Sequence, residues 1–223
     1  PYIVTNRANL ILANIGNIED GAEKDNFIGE ARAARALALF DMVRVYSKIP
    51  TQNGADSSLG LPIITGIDPN VRELRPNVSE SYAFIKDELE AAKALINSDN
   101  GVGRLNKESV SALLTRVYLY MGEYQNAINA ANDVTVPIST FSEVGQVWKD
   151  ASEAGVIFKI DQDRNLDGVN IGVEWSQSTA GGEVVPEYVL SFELNNLYQN
   201  TDARRSAYIC LLYTSDAADD TWG

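Results

Sequence analysis

Apolar residues recur at helical spacing through the first 135 residues and predict five helices. The third helix has the clearest stripe, in which steps of four and three residues alternate: Val78, Tyr82, Ile85, Leu89, Ala92 and Ile96. Asn77 and Glu80 precede this stripe at the spacing of a capping box. The third helix is therefore predicted to follow Asn77 directly.

The first two helices are predicted from weaker stripes. One face of the first helix contains three isoleucines: Ile11, Ile15 and Ile18. The second helix runs from about Asp25 to Tyr46. Its small residues, Ala31, Ala34 and Ala38, allow a neighbour to approach, and its bulky residues are Leu37, Phe40 and Val45. Pro50 ends it, since proline cannot continue a helix.

The fourth and fifth helices are predicted to form a tight antiparallel hairpin. Asn106 is placed to cap the fourth helix, and Gly122 leaves almost no connection before the fifth, Tyr124 to Val134. Four residues are expected to form the contact: Leu114, Tyr118, Tyr124 and Ala127. Their spacing resembles a tetratricopeptide repeat, but it fits an ordinary helical hairpin equally well, so both interpretations stay open.

Beyond Pro137 the helical spacing ends. The segment Val156-Ile-Phe-Lys-Ile160 predicts a short strand, polar and glycine-rich loops follow, and a last helical stretch is expected around Leu190 to Tyr198. Trp148 is expected to fill the core. The predicted fold class is mostly α, with a helical region at residues 1–135 and a mixed loop and strand region at residues 136–208.

The two ends of the sequence differ from the rest. The chain starts at Pro1 within helical pattern, so we expect it to begin inside a longer protein. The segment Cys210-Leu-Leu-Tyr-Thr-Ser-Asp-Ala-Ala-Asp-Asp220 resembles a translated sequencing-adapter tail. Residues 209–223 are therefore expected to be non-native, which leaves residues 1–208 as the region to interpret.

Composition excludes several classes of function. The 223 residues include no His, so neither a Ser-His-Asp site nor a two-His zinc helix is available. The single cysteine, Cys210, allows no internal disulfide. With 18 basic and 31 acidic residues the net charge is -13, which disfavours nucleic acid as a partner because phosphate binding needs a basic face. No cofactor is expected.

Several blocks of sequence, taken together, resemble the SusD/RagB family. They are Gly29-Glu-Ala-Arg-Ala-Ala-Arg-Ala-Leu-Ala-Leu-Phe-Asp41, Ile49-Pro50, Arg75-Pro-Asn-Val-Ser-Glu-Ser-Tyr82, Gly103-Arg104, Leu113-Leu-Thr-Arg-Val-Tyr-Leu-Tyr-Met-Gly122, Val156-Ile-Phe158 and Asp202-Ala-Arg204. Their order and spacing across residues 1–208 support the resemblance more than any single block does. Ser111 and Thr115 depart from the alanines expected at those positions.

The resemblance implies tetratricopeptide-like helical hairpins that support irregular ligand loops. It also implies a surface-exposed lipoprotein of the Bacteroidota outer membrane that captures glycans or other nutrients and covers a SusC-like TonB-dependent transporter. Its only membrane contact would be a lipid anchor, and the family's lipidated Cys and long C-terminal part are absent from this sequence. No catalysis is implied, in agreement with the absence of His. The alternative function is a tetratricopeptide-type scaffold that binds a protein partner in a helical groove.

Sugar binding needs an aromatic face for the C–H surface of the ring and polar groups for the hydroxyls. The resemblance places part of the ligand site in the connection from Thr51 to Arg75, where Asn53 and Asp56 are the obvious hydrogen-bonding residues. That connection has no aromatic residue, so starch binding in particular is not supported. Trp175, in a polar loop, is the third candidate, and packing against the helices is its alternative role.

Four residues match the calcium-loop pattern of an EF-hand: Asp163, Asn165, Asp167 and Glu174. The context differs from an EF-hand, because a predicted strand precedes the pattern and Asn170 occupies a position that is usually apolar. An Asx-rich turn is the alternative interpretation, and no metal is assigned.

Paired carboxylates are the usual sign of a glycosidase. Glu88 and Glu90 flank Leu89 and are therefore expected on the solvated side of the third helix. Glu30 is expected to pair with Arg35 or Arg116 and to orient helices. The protein is accordingly predicted not to be an enzyme.

Overall fold

The computed structural model describes residues 2–68, 70–160, 176–178, 184–186 and 190–208, and these residues are mostly helical. The elements, in chain order, are α1 (Tyr2–Asn14), a 3₁₀ turn (Ile15–Asn17), α2 (Ala22–Tyr46), α3 (Val78–Leu95), α4 (Lys107–Met121), α5 (Tyr124–Asn132), α6 (Phe141–Trp148), β1 (Ser176–Ser178), β2 (Val184–Pro186), α7 (Phe192–Leu197) and α8 (Ala203–Tyr208). The predicted mostly α fold class is confirmed.

The chain divides into two compact units. The first comprises Pro1–Val136 with Ile157–Lys159, and in it α2 packs against α1 and α3, α3 against α4, and α4 against α5. The second comprises Pro137–Val156 and Ile160–Gly223. Within it α6 contacts α8, and β1 pairs with β2 in an antiparallel register that places Gln177 opposite Val185.

The core of the first unit combines residues from α2 to α5. All six positions of the stripe predicted for α3 are buried. They meet Phe40 of α2, whose ring lies edge-on to Tyr82 at 6.2 Å and to Tyr120 at 5.5 Å between centroids. Each large apolar side chain that is fully buried contributes about 1.5–3 kcal/mol relative to exposure, so this cluster stabilises the helical unit substantially.

Local sequence determines where α3 and α4 begin and where α4 ends. The Asn77 side chain accepts a hydrogen bond from the Glu80 backbone N–H at 2.7 Å, and the Glu80 carboxylate accepts from the Asn77 N–H at 2.9 Å. The predicted capping box is thus confirmed, and Asn106 with Ser109 forms another at α4. Gly122 ends α4 with a φ of 76°, a left-handed conformation that favours glycine.

Some packing predictions were wrong. Helix α1 ends at Asn14, so Ile15 and Ile18 do not continue its face, and its buried residues are Thr5, Ala8 and Asn9. Val45, in the last turn of α2, is exposed. In the α4–α5 hairpin Leu114, Tyr118 and Ala127 are buried as predicted, whereas Tyr124 is 64% exposed.

Two predictions beyond Pro137 were also wrong. Trp148 is the last residue of α6 and is 60% exposed, so it does not fill a core. Residues 156–160 do not form a strand. Lys159 N–H donates to the Val102 carbonyl at 2.9 Å, and Phe158 packs against the helical core. Because the neighbouring chain near Val102 is irregular, this segment lacks the extended partner that a ladder requires.

Helices α2 and α3 are joined by a buried ionic cluster that the sequence did not predict. Glu88 was expected in solvent, but it is buried. One of its oxygens accepts from Arg35 Nε at 2.9 Å and Nη2 at 2.5 Å, and the other accepts from Arg32 Nη1 at 2.8 Å. A buried carboxylate is tolerated when partners of this kind satisfy it, so Glu88 is a structural residue.

The same cluster reaches the long connection between α2 and α3. Asn9 of α1 is 2% exposed, and its side-chain oxygen accepts from Arg35 Nη1 at 2.7 Å. Its amide nitrogen donates to the carbonyls of Ile64 and Gly66, both at 2.9 Å. A single buried amide therefore holds the connection against α1 and α2.

The start of α3 provides a second anchor for this connection. Gly60 N–H donates to the Pro76 carbonyl at 2.7 Å, and Val78 N–H donates to the Ser58 carbonyl at 3.0 Å. A methyl group added at Gly60 would lie 2.0 Å from Ser81 Oγ, so this close approach requires glycine. The connection is thus held at two places by buried contacts.

Replacing Glu88 tests the ionic cluster. Glu88→Ala leaves the buried Arg35 without its carboxylate, so we expect a loss of about 3–5 kcal/mol in the free energy of unfolding. Asp87→Ala is the matched control, because Asp87 is exposed and its pairing with Lys86, at 3.4 Å, is a surface contact. Its expected cost is below about 1 kcal/mol. Urea unfolding followed by circular dichroism measures both, and equal midpoints would contradict the assignment. If Glu88→Ala does not fold, Glu88→Gln should still show an intermediate loss.

Tyr82 provides a test in alkali. Its hydroxyl is buried without a hydrogen-bond partner among the described residues, and burial raises the pKa of Tyr82 to about 12. An unfolded tyrosine has a pKa of about 10, so the unfolded chain ionises first and stability falls as the pH rises from about 10 towards 12. Tyr82→Phe should lose less stability in that range and should gain up to about 1 kcal/mol at neutral pH.

Tyr118→Phe is the control for this experiment. The Tyr118 hydroxyl donates to the Glu90 carboxylate, so its removal should cost about 1 kcal/mol at neutral pH. A neutral-pH loss in Tyr82→Phe as large as that in Tyr118→Phe would show that the Tyr82 hydroxyl is satisfied in the folded protein.

Candidate functional site

Residues 47–77 connect α2 to α3 and contain two of the three predicted sugar-binding residues, so this segment is named the ligand loop after that prediction. Asn53 and Asp56 are both exposed and lie in one turn-rich segment, where Ala55 N–H donates to the Gln52 carbonyl at 3.1 Å. Lys48 Nζ donates to the Asn53 carbonyl oxygen at 3.2 Å. These contacts leave the Asn53 side-chain amide open to solvent.

Asp56 is tied to the start of α3. One of its carboxylate oxygens accepts from Ser79 Oγ at 2.9 Å, which holds the side chain in place and leaves the second oxygen exposed. A carboxylate held by one partner can still accept a hydrogen bond from a sugar hydroxyl. Asn53 and Asp56 therefore present an amide and a carboxylate on the same short stretch of the loop.

Two exposed tyrosines flank the ligand loop and were not predicted as site residues. Tyr46 is the last residue of α2 and is 69% exposed. Tyr124 begins α5, directly after the turn at Gly122, and a methyl group at Gly122 would lie 3.1 Å from Thr51 Cγ2. The α4–α5 turn thus lies against the loop. The helix ends beside the loop thus carry exposed aromatic rings, which the loop itself lacks.

A groove of 450 Å³ lies between α3, α4 and α5. Its apolar floor includes Leu114 and Ala130, and its polar lining includes Asn126 and Asn129. The charges in it are largely paired: Lys93 and Asp133 form an ion pair at 2.5 Å, and Glu90 accepts from Tyr118. Burial raises the pKa of the Tyr118 hydroxyl, and its hydrogen bond to Glu90 adds to the shift.

A second polar cleft, of 370 Å³, lies beside the N-terminal end of α2. Asn26 bonds the side chains of Glu30 at 2.9 Å and Asn100 at 3.1 Å. Glu30 pairs with Arg104, so its predicted pairing with Arg35 or Arg116 was wrong. Arg35 lies farther along α2 and pairs with Glu88 instead. Glu30 thus links α2 to the connection between α3 and α4, and its role in orienting elements stays a prediction.

The remaining candidates lie outside the described residues. These are Trp175 and the calcium-pattern residues Asp163, Asn165, Asp167 and Glu174. Within the part of the chain that the structure describes, no group of three or more acidic or cysteine side chains is arranged to hold a metal ion. The described residues therefore test neither interpretation of the segment from Asp163 to Glu174, the Asx-rich turn or the calcium site.

Two carboxylates of the first unit that are buried or partly buried form ion pairs with arginines. Glu88 is bound by Arg35 and Arg32, and Glu30 by Arg104. A glycosidase needs one carboxyl group free to donate a proton and a second free to attack or to activate water. Neither of these two acids is free in that way, so neither Glu88 nor Glu30 is available as the acid or the nucleophile of a glycosidase.

None of the helices in the described ranges is long and apolar enough to cross a membrane. This holds for the helices from α1 to α8, including the 25-residue α2, which contains several charged side chains.

Solved structures similar to this chain share its helical arrangement. A SusD superfamily protein from Bacteroides thetaiotaomicron is 31% identical, with a TM-score of 0.60 over 66% of this chain and 34% of its own. A SusD-like carbohydrate binding protein from Bacteroides vulgatus is 22% identical, with a TM-score of 0.71 over 92% of this chain and 45% of its own, which supports the fold alone. A laminarin binding SusD-like protein is 26% identical, with a TM-score of 0.50 over 65% of this chain and 32% of its own.

This chain spans less than half the length of each of those structures. Comparison with proteins of curated function gives no match. A sequence model of the SusD-like family, described as "Starch-binding associating with outer membrane", matches residues 1–119, which is more than half of the chain. The ordered blocks, the helical hairpins and this match agree: the chain belongs to the SusD-like family.

Proposed function

We propose that this chain is part of a non-catalytic glycan-binding protein that captures oligo- or polysaccharides at the outer membrane. The observation that supports the proposal most directly is the family match over residues 1–119, since that stretch contains the whole ligand loop. A similar solved structure is described as laminarin binding, which makes a soluble β-glucan a reasonable first probe.

The surface around the ligand loop has the chemistry that a sugar requires. Asn53 supplies an amide donor and acceptor, and Asp56 supplies an acceptor for hydroxyl groups. Tyr46 and Tyr124 are exposed beside the loop, where a ring could pack against the C–H face of a pyranose. Trp175 is proposed as a further stacking residue.

Anchoring of the loop favours affinity. The loop is held by Asn9 at Ile64 and Gly66 and by backbone hydrogen bonds between Ser58, Gly60 and the start of α3. Binding costs include the entropy of ordering a flexible segment, and a segment that is already ordered avoids part of that cost. The same anchors leave the stretch from Asn53 to Asp56 on the surface.

Glycan titration of the full-length protein tests the proposal. Asn53→Ala and Asp56→Ala should each weaken binding about 3- to 10-fold, because each removes a hydrogen bond worth about 1 kcal/mol. Asn70→Ala is the matched control: Asn70 is exposed in the same loop and its side chain bonds Asp68, so the affinity of this variant should stay within about twofold of wild type. Isothermal titration with laminarin and a panel of other soluble polysaccharides measures the affinities.

Three outcomes would contradict the proposal. The full-length protein could bind no polysaccharide of the panel. The control and the two loop variants could lose affinity equally, which would place the ligand elsewhere. Shortened glycan chains after incubation with the purified protein would show that it hydrolyses its ligand.

We further propose that the captured glycan is delivered to a SusC-like TonB-dependent transporter. The family description associates its members with the outer membrane, and attachment there would require a lipid anchor on the full-length protein. The alternative is a scaffold that binds a protein partner in the α3–α5 groove, where Asn126 and Asn129 line one wall.

Affinity purification from detergent-solubilised outer membranes distinguishes these partners. The full-length protein should co-purify with a TonB-dependent transporter, and an Asn126→Ala/Asn129→Ala variant should retain it. Loss of the partner in that variant, or recovery of a soluble protein in place of a transporter, would support the scaffold function instead.

A further inference from the structure

Two Asn-Gly dipeptides occur in the sequence, Asn53-Gly54 and Asn100-Gly101. This dipeptide is chemically labile because glycine has no side chain to shield its backbone nitrogen. That nitrogen can attack the side-chain carbonyl carbon of the preceding asparagine. The two sites have the same local chemistry, so any difference between them in the folded protein arises from their surroundings.

The surroundings of Asn53 do not restrain its side chain. Asn53 and Gly54 are both exposed in the ligand loop. Within the described residues, the Asn53 side-chain amide makes no hydrogen bond, and the Gly54 N–H is not a donor in any backbone hydrogen bond. Both reacting groups are therefore accessible after a small opening of the turn.

Asn100 is held firmly by comparison. Its amide nitrogen donates to Asn26 Oδ1 at 3.0 Å, to Glu30 Oε1 at 3.2 Å and to the Leu105 carbonyl at 2.8 Å. Its side-chain oxygen accepts from Asn26 Nδ2 at 3.1 Å. Attack by the Gly101 nitrogen would require this side chain to leave its partners.

We infer that Asn53 is a site of spontaneous conversion to aspartate and isoaspartate in the folded protein, and that Asn100 is protected. The Gly54 nitrogen forms a bond to the Asn53 side-chain carbon, the bond from that carbon to the amide nitrogen breaks, and ammonia leaves with the proton of the Gly54 N–H. Water then opens the resulting succinimide at either carbonyl. The net change consumes one water and releases one ammonia, without oxidation or reduction.

The product changes the electrostatics of the ligand loop. A carboxylate replaces the Asn53 amide close to the Lys48 ammonium, which lies 3.2 Å from the Asn53 carbonyl oxygen. The amide donor is lost, since an ionised carboxylate only accepts hydrogen bonds. Weaker glycan binding after conversion rests on the proposed function, whereas the chemical step does not.

Peptide mapping by mass spectrometry tests the inference. The full chain is incubated in mildly alkaline buffer, with a parallel sample in urea, and both are digested. Conversion is measured from the mass gained when –OH replaces –NH2, and isoaspartate is labelled with a methyltransferase. In the folded chain Asn53 should convert at least about 30-fold faster than Asn100, the factor expected if opening at Asn100 breaks at least two of its four side-chain hydrogen bonds. In urea the two rates should agree within a few-fold, and Asn53→Gln should abolish the signal of the first peptide.

Equal rates at the two sites in the folded chain would overturn the protection of Asn100. If Asn53 stays intact in the folded chain while it converts in the urea sample, Asn53 is not a site of conversion in the folded protein. For the functional consequence, Asn53→Asp should bind laminarin about 3- to 10-fold more weakly than wild type. If that variant binds laminarin with wild-type affinity, the predicted effect on glycan binding is wrong, but the conversion of Asn53 itself is not contradicted.

Discussion

The buried carboxylate of Glu88 is the interaction on which the first unit depends. It joins α3 to α2 through Arg35 and Arg32, and Arg35 extends the contact to Asn9 of α1. A buried charge is costly when any partner is missing, so alternative registers of the three helices would each leave a group unsatisfied. Because Asn9 also bonds the carbonyls of Ile64 and Gly66, the position of the ligand loop follows from the packing of the helices.

The backbone anchors of the ligand loop and its exposed polar side chains lie in different parts of the loop. The anchored parts of the loop, around Gly60 and Ile64, are bonded to helices, and the exposed residues Asn53 and Asp56 lie between α2 and those anchors. The backbone of such a stretch keeps a defined position while the side chains of Asn53 and Asp56 stay accessible, which suits the proposed binding surface. The same exposure leaves the Asn53-Gly54 peptide open to its own chemistry. Order in the loop backbone and lability of one side chain thus arise from the same architecture.

Features set by neighbouring residues were predictable from sequence, and those set by distant residues were not. The capping box at Asn77 and the buried stripe of α3 need only local spacing. Glu88 was placed in solvent because its burial depends on Arg35, 53 residues earlier in the chain. For the site, the exposed positions of Asn53 and Asp56 followed from loop composition. The exposure of Tyr124 was not predicted, since it depends on where α5 begins relative to the loop.

The described surface by itself supplies too little free energy of binding to account for a micromolar affinity for a sugar. A micromolar dissociation constant corresponds to about 8 kcal/mol. In the proposed complex, hydrogen bonds from Asn53 and Asp56 would contribute about 1 kcal/mol each, and stacking on Tyr46 and Tyr124 would add amounts of similar size. Those contributions remain several kcal/mol short, before the cost of association is subtracted. If the protein binds glycans at micromolar concentration, further contacts come from Trp175 or from the portion of the relatives' length that this chain does not span.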